Sequence, residues 1–204
     1  MPNDAGFQTR VLRHALGLLE AKSGPVLEDF PEDAPDMKNM TDQALQVACP
    51  VNFNIKKESL SSTGRLLESF SLEFFQMKPW HDLALSKNNR TTTGVSGFSP
   101  EASLAFISGF VKGEEPNENI PDSFADSLRM VAEDIKAFYL EGLSAQPGQP
   151  TDSKILADWF WGETYAALVI NEVRKISLTQ DSERMKLLGT LLLVPRNQMY
   201  RFKD

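Results

Sequence analysis

The chain has few residues suited to nucleophilic or metal chemistry. Its two histidines are His14 and His81, and Cys49 is its single cysteine, so no CxxC pair, internal disulfide or sulfur-rich metal site can be built from it. His14 falls beside Arg10 and Arg13 on the polar edge of a helical pattern, a surface position. His81 follows Pro79-Trp80, and an imidazole beside a large aromatic at a helix irregularity is placed to move a proton, with capping or surface placement as the plainer alternative. The segment Asp158-Trp159-Phe160-Trp161-Gly162-Glu163-Thr164-Tyr165 sets three large aromatics around a glycine and a carboxylate. In a continuous helix Glu163 lies between the apolar rows formed by Trp159, Phe160, Ala166, Ala167 and Ile170, so its carboxylate is expected to point into or along the core. A carboxylate so placed needs a partner or a raised pKa. It is then either satisfied by an arginine, a tyrosine hydroxyl or a backbone amide, or it is an acid–base group in a pocket. That pocket is walled by Trp159, Trp161 and Tyr165, with His81 as the second catalytic candidate and Glu73 or Asp134 as support.

Glu73 sits among Phe70, Phe74 and Met77, while Asp134 and Glu141, seven residues apart, share one helix face with Phe138. Carboxylates on several helices are the raw material of di-iron bundles, but those use Glu-x-x-His pairs, and neither histidine has a glutamate three residues before it. No metal and no cofactor is therefore expected. Phosphate-loop, dinucleotide, nucleophile-elbow, HExxH and EF-hand signatures are absent from the chain. The loop Arg90-Thr91-Thr92-Thr93-Gly94-Val95-Ser96-Gly97 has the hydroxyl and backbone donors to hold an anion, or it is an ordinary connector.

The elements that must position these residues read as helices. Leucine occurs 24 times against ten valines and seven isoleucines, a balance that favours helix over strand. Three- and four-residue spacing marks a first helix over Phe7–Lys22, with Phe7, Val11, Leu12, Ala15, Leu18 and Leu19 facing inward. Gly24–Asp36, with three prolines and five acids, is a strap whose Val26, Leu27 and Phe30 should pack on the body. A short helix over Asp36–Val47 and an alternating run over Cys49–Ile55 follow. Leu60, Leu67, Phe70, Phe74 and Met77 form the next stripe, with a kink or break at Pro79. Ser99-Pro100 starts a helix that ends at Gly113, and after an acidic loop over Glu114–Asp122 another runs from Phe124 to about Leu143. One long element over Thr151–Ile176 and a last one over Ser182–Leu193, with Met185, Leu188, Leu191 and Leu192 inward, complete the chain. The fold class is thus all-α: an irregular multi-helix domain of about seven helices spanning 1–204, with an extended acidic strap near the N-terminus and 24–56 mostly loop or extended.

A length of 204 residues suits one domain, and an apolar content of 41% supports a real core. The net charge of −7 repels polyphosphate, which argues against nucleic acid as a partner. The tail Pro195–Lys203 interleaves three cations with two aromatics and reads as a solvated C-terminus. The aliphatic run Ala166–Ile170 is far too short to span a bilayer, and Met1-Pro2-Asn3-Asp4 has no export-signal pattern, so no membrane association and a cytoplasmic location are expected.

Residues Pro2–Gln8, Val11–Glu20 and Gly24–Pro35, the last reading Gly-Pro-Val-Leu-Glu-Asp-Phe-Pro-Glu-Asp-Ala-Pro, resemble the end of proteins grouped with the selenoprotein B subunit of glycine, sarcosine and betaine reductases. The resemblance covers about 35 residues and implies a helical domain linked to such a reductase system. Those reductases act through a selenocysteine or cysteine; Cys49 lies outside the resembling segment, so no catalytic residue carries over. By size and helicity the chain is also similar to chaperones that mature molybdoenzymes, without their proline-aspartate-histidine signature. Three functional readings remain. One is an acidic binding or assembly module for a protein partner or small molecule, accessory to a reductase or redox-enzyme maturation system. Another is a small-molecule enzyme using Glu163 and His81. The last is a homo-oligomer whose Trp159, Phe160 or Trp161 form the interface.

Overall fold

The computed structural model describes residues 5–32, 62–114, 124–147 and 152–202, and its regular structure there is entirely helical, with no strand among the described residues. In chain order the helices are α1 (Ala5–Gly17), α2 (Thr63–Asn88), α3 (Pro100–Lys112), α4 (Phe124–Ala145), α5 (Ser153–Glu163), α6 (Tyr165–Thr179) and α7 (Glu183–Leu187). A 3₁₀ turn over Leu18–Glu20 extends α1, a π turn over Leu188–Leu192 follows α7, and a 3₁₀ turn over Arg196–Phe202 is the last described element. The expected elements over Asp36–Val47 and Cys49–Ile55, with Cys49 itself, lie outside the described residues, as does most of the acidic loop after Glu114.

Sequence punctuation sets most helix ends. Ser62, Ser99, Asp152 and Ser182 accept hydrogen bonds from the first-turn amides of α2, α3, α5 and α7, and Pro100 occupies the first turn of α3, where its missing N–H costs nothing. The core lies where α2 packs along α4, with α3 and α6 closing the sides. Phe70, Phe74 and Met77 of α2, Ile107 of α3, Leu128, Val131 and Phe138 of α4, and Ile170 and Val173 of α6 are all fully buried. Gly142 brings α4 close to the α2 backbone: a Cβ there would stand 3.4 Å from both His81 N and Met77 O. Phe74 and Phe138 stack face to face across the same joint, 4.3 Å between centroids.

Several expectations are corrected. Pro79 does not break α2, which runs through it; Pro79 and Phe75, whose carbonyl the proline cannot serve, are both exposed, so the unserved acceptor lies on the wet side of the helix. The single element expected over Thr151–Ile176 is two helices, because Thr164 is extended (φ −108°, ψ 147°) and ends α5 while starting α6. Its hydroxyl donates to the Phe160 carbonyl and accepts from Ala167 N, so one buried side chain serves both helix ends. The last helix passes into a π turn after Leu187, leaving Leu191 and Leu192 exposed instead of inward. Gly189 sits in that turn against α6, where a Cβ would come within 2.9 Å of the Arg174 carbonyl. The tail is not merely solvated, since Gln198 is buried and Arg201 is anchored on α5.

The largest departure concerns α1, which buries none of its residues. Its described contacts are with the strap: Arg10 makes a bidentate pair with Glu32 (2.7 and 2.9 Å), and Phe30 fits edge-on between Phe7 and His14. Leu27 of the strap is almost wholly exposed, so the strap packs on α1 through Phe30 and not through all three apolar residues.

Candidate functional site

Three buried or half-buried carboxylates organise the interior, each by accepting backbone donors from a neighbouring segment. Glu73 projects from α2 with no exposed surface, and its two oxygens accept from Tyr165 N (2.8 Å) and Ala166 N (3.0 Å), the first two amides of α6. With Thr164 taking Ala167 N, the buried start of α6 has its first three donors satisfied, and the helix dipole favours a negative group there. Burial is the larger influence and pushes the Glu73 carboxyl up from its usual 4.5 to about 7, against the lowering effect of the two amides and of Tyr139. The Tyr139 hydroxyl faces this carboxylate from α4 without hydrogen-bond alignment; burial and then the charge of Glu73 hold its pKa well above the normal tyrosine value.

Asp134 and Glu141 grip the loop between α2 and α3. Asp134 Oδ1 accepts from Gly94 N (2.7 Å) and Val95 N (3.0 Å), and Oδ2 from Ser96 N (3.0 Å) and the Ser96 hydroxyl. Positive φ at Gly94 (101°) and Gly97 (77°) curls the loop so that successive amides converge on one carboxylate. One turn of loop earlier, Glu141 accepts from the Thr91 hydroxyl (2.6 Å), Thr92 N (2.6 Å) and the Thr92 hydroxyl (2.7 Å). Burial pulls the Glu141 pKa up, but these donors together outweigh it and hold the carboxyl below its usual range. The donor-rich loop is therefore an anion holder after all, and its anions are the protein's own, brought to one face by their seven-residue spacing. His81 is buried beside this clamp, its ring on Phe138 (4.6 Å) and its Nε2 3.3 Å from Glu141 Oε2, close enough to pair as an ion though not aligned as a hydrogen bond.

The aromatic segment of α5 is spent on packing. Trp159, Phe160 and Trp161 are buried within the chain: Phe160 is edge-on to both Tyr139 (5.7 Å) and Trp161 (5.0 Å), and Trp161 is edge-on to Phe202 of the terminal turn (6.2 Å). They are not laid out on the surface as an oligomer interface would need. Glu163 is exposed at the end of α5, so the expectation that it points into or along the core is wrong. The break at Thr164 is the cause, because the row geometry that placed Glu163 inward holds only in an unbroken helix. Tyr165 is half-buried and contributes its backbone amide, to Glu73. Gly162 makes room for neither ligand nor helix but for the Arg201 guanidinium, whose Nη1 is 2.7 Å from where a Cβ would stand. Arg201 pairs with Asp158 Oδ1 at 2.8 Å, and Lys154, Gln198 and Arg201 hold the Asp158 carboxyl well below its usual range.

The candidate residues thus separate into different places. Glu73 and the Tyr165 backbone form one cluster; His81 lies on Phe138 beside Glu141, while Asp134 clamps the amides of Gly94, Val95 and Ser96; Trp159 and Trp161 are core; Glu163 is exposed where His81 is buried. The small cavity bounded by Phe74, Ser103, Asp134 and Phe138 is lined by neither Glu163 nor His81, and no three His, Cys, Asp or Glu side chains among the described residues are grouped to hold a metal ion. No described helix is long and apolar enough to cross a membrane. Sequence reasoning missed Thr164, which ends one helix and starts the next with no glycine or proline at its own position, and Tyr139, whose pattern is that of any core aromatic.

Comparison of the chain with known protein families, with curated proteins and with solved structures finds no match. Local geometry therefore carries the functional argument.

Proposed function

We propose that the protein is a binding or assembly module whose N-terminal helix docks on a protein partner. One observation carries this reading. Leu12 and Leu16 on α1 and Leu19 in the 3₁₀ turn that extends it follow i, i+4, i+7 spacing in the sequence and are 63%, 62% and 81% exposed, with Leu27 of the strap 97% exposed. An apolar row of that spacing is how an amphipathic helix enters a partner's groove, and leaving it in water is unfavourable for a helix with no other burial. The Arg10–Glu32 pair and the wedge of Phe30 hold helix and strap together, which lowers the ordering cost of docking. The acids Glu20, Glu28 and Asp29 lie near the leucines in sequence and suit a partner with basic residues at the groove rim. The resemblance of residues 2–35 to reductase-associated proteins supports a partner belonging to a reductase or redox-enzyme maturation system.

The test uses the full chain, tagged at its C-terminus in its own cell, and asks for the mass of the species it forms. The expected result is a stoichiometric complex with a different protein. Leu12→Glu, Leu16→Glu and Leu19→Glu combined should abolish that complex while thermal unfolding of the purified chain stays unchanged, since the three positions are exposed. A complex that survives the triple change, or catalytic turnover by the purified chain alone, would refute the reading. A mass of twice the chain would assign the face to a second copy.

A further inference from the structure

A small cavity opens between α2, α3, α4 and the Thr91–Phe98 loop, bounded by Phe74, Ile135 and Phe138 on its apolar side and by Thr93, Ser103 and Asp134 on its polar side. Its interior room is about 10 Å³, the scale of one water molecule. Ser103, in the first turns of α3, is 1% exposed, and its hydroxyl has no hydrogen-bond partner. A helical serine has a simple way to avoid that cost: to donate back to the carbonyl four residues earlier. Thr164, Ser144, Ser177 and Thr190 all do so here, to Phe160, Leu140, Val173 and Lys186, each at 2.7 Å. Ser103 does not, although the Ser99 carbonyl is in place and accepts its backbone amide.

The polar lining of the cavity offers an open acceptor. The Asp134 carboxylate already takes four donors, which fills its lone pairs. Thr91 gives its only hydroxyl hydrogen to Glu141, so in the 2.8 Å contact between the Thr91 and Thr93 hydroxyls Thr93 must be the donor. The Thr93 oxygen therefore keeps its acceptor capacity. From the orphaned hydroxyl, the cavity and this acceptor we infer that the site binds one ordered water, which takes the hydrogen bond of Ser103 and bridges it to Thr93, tying α3 to the loop clamped by Asp134.

A crystal structure at a resolution that shows ordered solvent should place a water within hydrogen-bonding distance of both Ser103 Oγ and a polar atom of Thr93. An unfilled cavity, a larger molecule, or Ser103 turned onto the Ser99 carbonyl would overturn the inference. Ser103→Ala supplies an independent sign. If the hydroxyl is a true orphan, removing it leaves the loop unchanged or steadier. If it holds a bridge, amide exchange at Gly94, Val95 and Ser96 should quicken about fivefold, the equivalent of one hydrogen bond. In a double-mutant cycle with Thr93→Val the bridge predicts coupling, the second substitution adding little to the first; strictly additive effects would count against it.

Discussion

Glu73 makes the sharpest quantitative test of how this fold is held. Its carboxyl ionises near 4.5 in an unfolded chain and at about 7 in the folded one, with burial as the main cause. Between those two values the folded state binds more protons than the unfolded state, so stability falls as pH rises. The contribution is fully present below about 4.5 and lost once pH passes about 7. At about 1.4 kcal/mol per pH unit, the full displacement amounts to about 3–4 kcal/mol, of which about 3 kcal/mol is lost above pH 4.5. Other titrating groups obscure this in the wild type alone, so the quantity to follow is the difference in unfolding free energy between wild type and Glu73→Gln. The variant cannot ionise and keeps an oxygen for one of the two amides of Tyr165 and Ala166, while its NH₂ faces the other; that mismatch costs a constant amount at every pH. Urea unfolding followed by far-UV circular dichroism, at intervals from pH 4.5 to 8, measures both proteins. The wild type should lose about 3 kcal/mol relative to the variant over that range, most of it between pH 5 and 7. A difference that stays flat would mean that burial does not dominate. A difference that grows with pH would mean that the charge-assisted cap on α6 outweighs desolvation, and the reasoning would be wrong in sign.

Two further substitutions probe the other contacts. Asp134→Asn puts an amide donor where four donors converge and should destabilise the fold by about 2 kcal/mol, with faster hydrogen exchange concentrated at residues 94–96; a change in thermal midpoint too small to resolve would show the clamp to be dispensable. Gly189→Ala drives a Cβ to 2.9 Å from the Arg174 carbonyl and from Leu178 Cγ and should cost about 1–3 kcal/mol in chemical denaturation, whereas Gly17→Ala, with no atom within 4 Å, should be neutral or slightly stabilising.

Much of the helical layout was legible in the residues. Ser99-Pro100 and Gly113 mark the ends of α3 by side-chain and backbone chemistry that acts locally, and the stripe of Phe70, Phe74 and Met77 found the face that α2 turns to the core. The seven-residue spacing of Asp134 and Glu141 placed both on one face, and the loop between α2 and α3 was recognisable as carrying the hydroxyl and backbone donors to hold an anion, with an ordinary connector as the alternative. That the two belong together was not legible, because nothing in either segment specifies a contact across 40 to 50 residues of chain.

What the sequence determined by itself was an acidic, leucine-rich, all-helical chain with one cysteine and little equipment for covalent chemistry. Only the tertiary structure decided the fate of its carboxylates. Glu163, the residue that local pattern favoured, is turned outward by a single extended residue at Thr164, while Glu73, an inconspicuous glutamate in an apolar stripe, becomes the buried cap of a helix 92 residues away. The physical reason is the same in both cases. Periodicity fixes which way a side chain points within its own helix, but whether a buried charge survives there depends on donors delivered by another segment, and those exist only once the chain has folded.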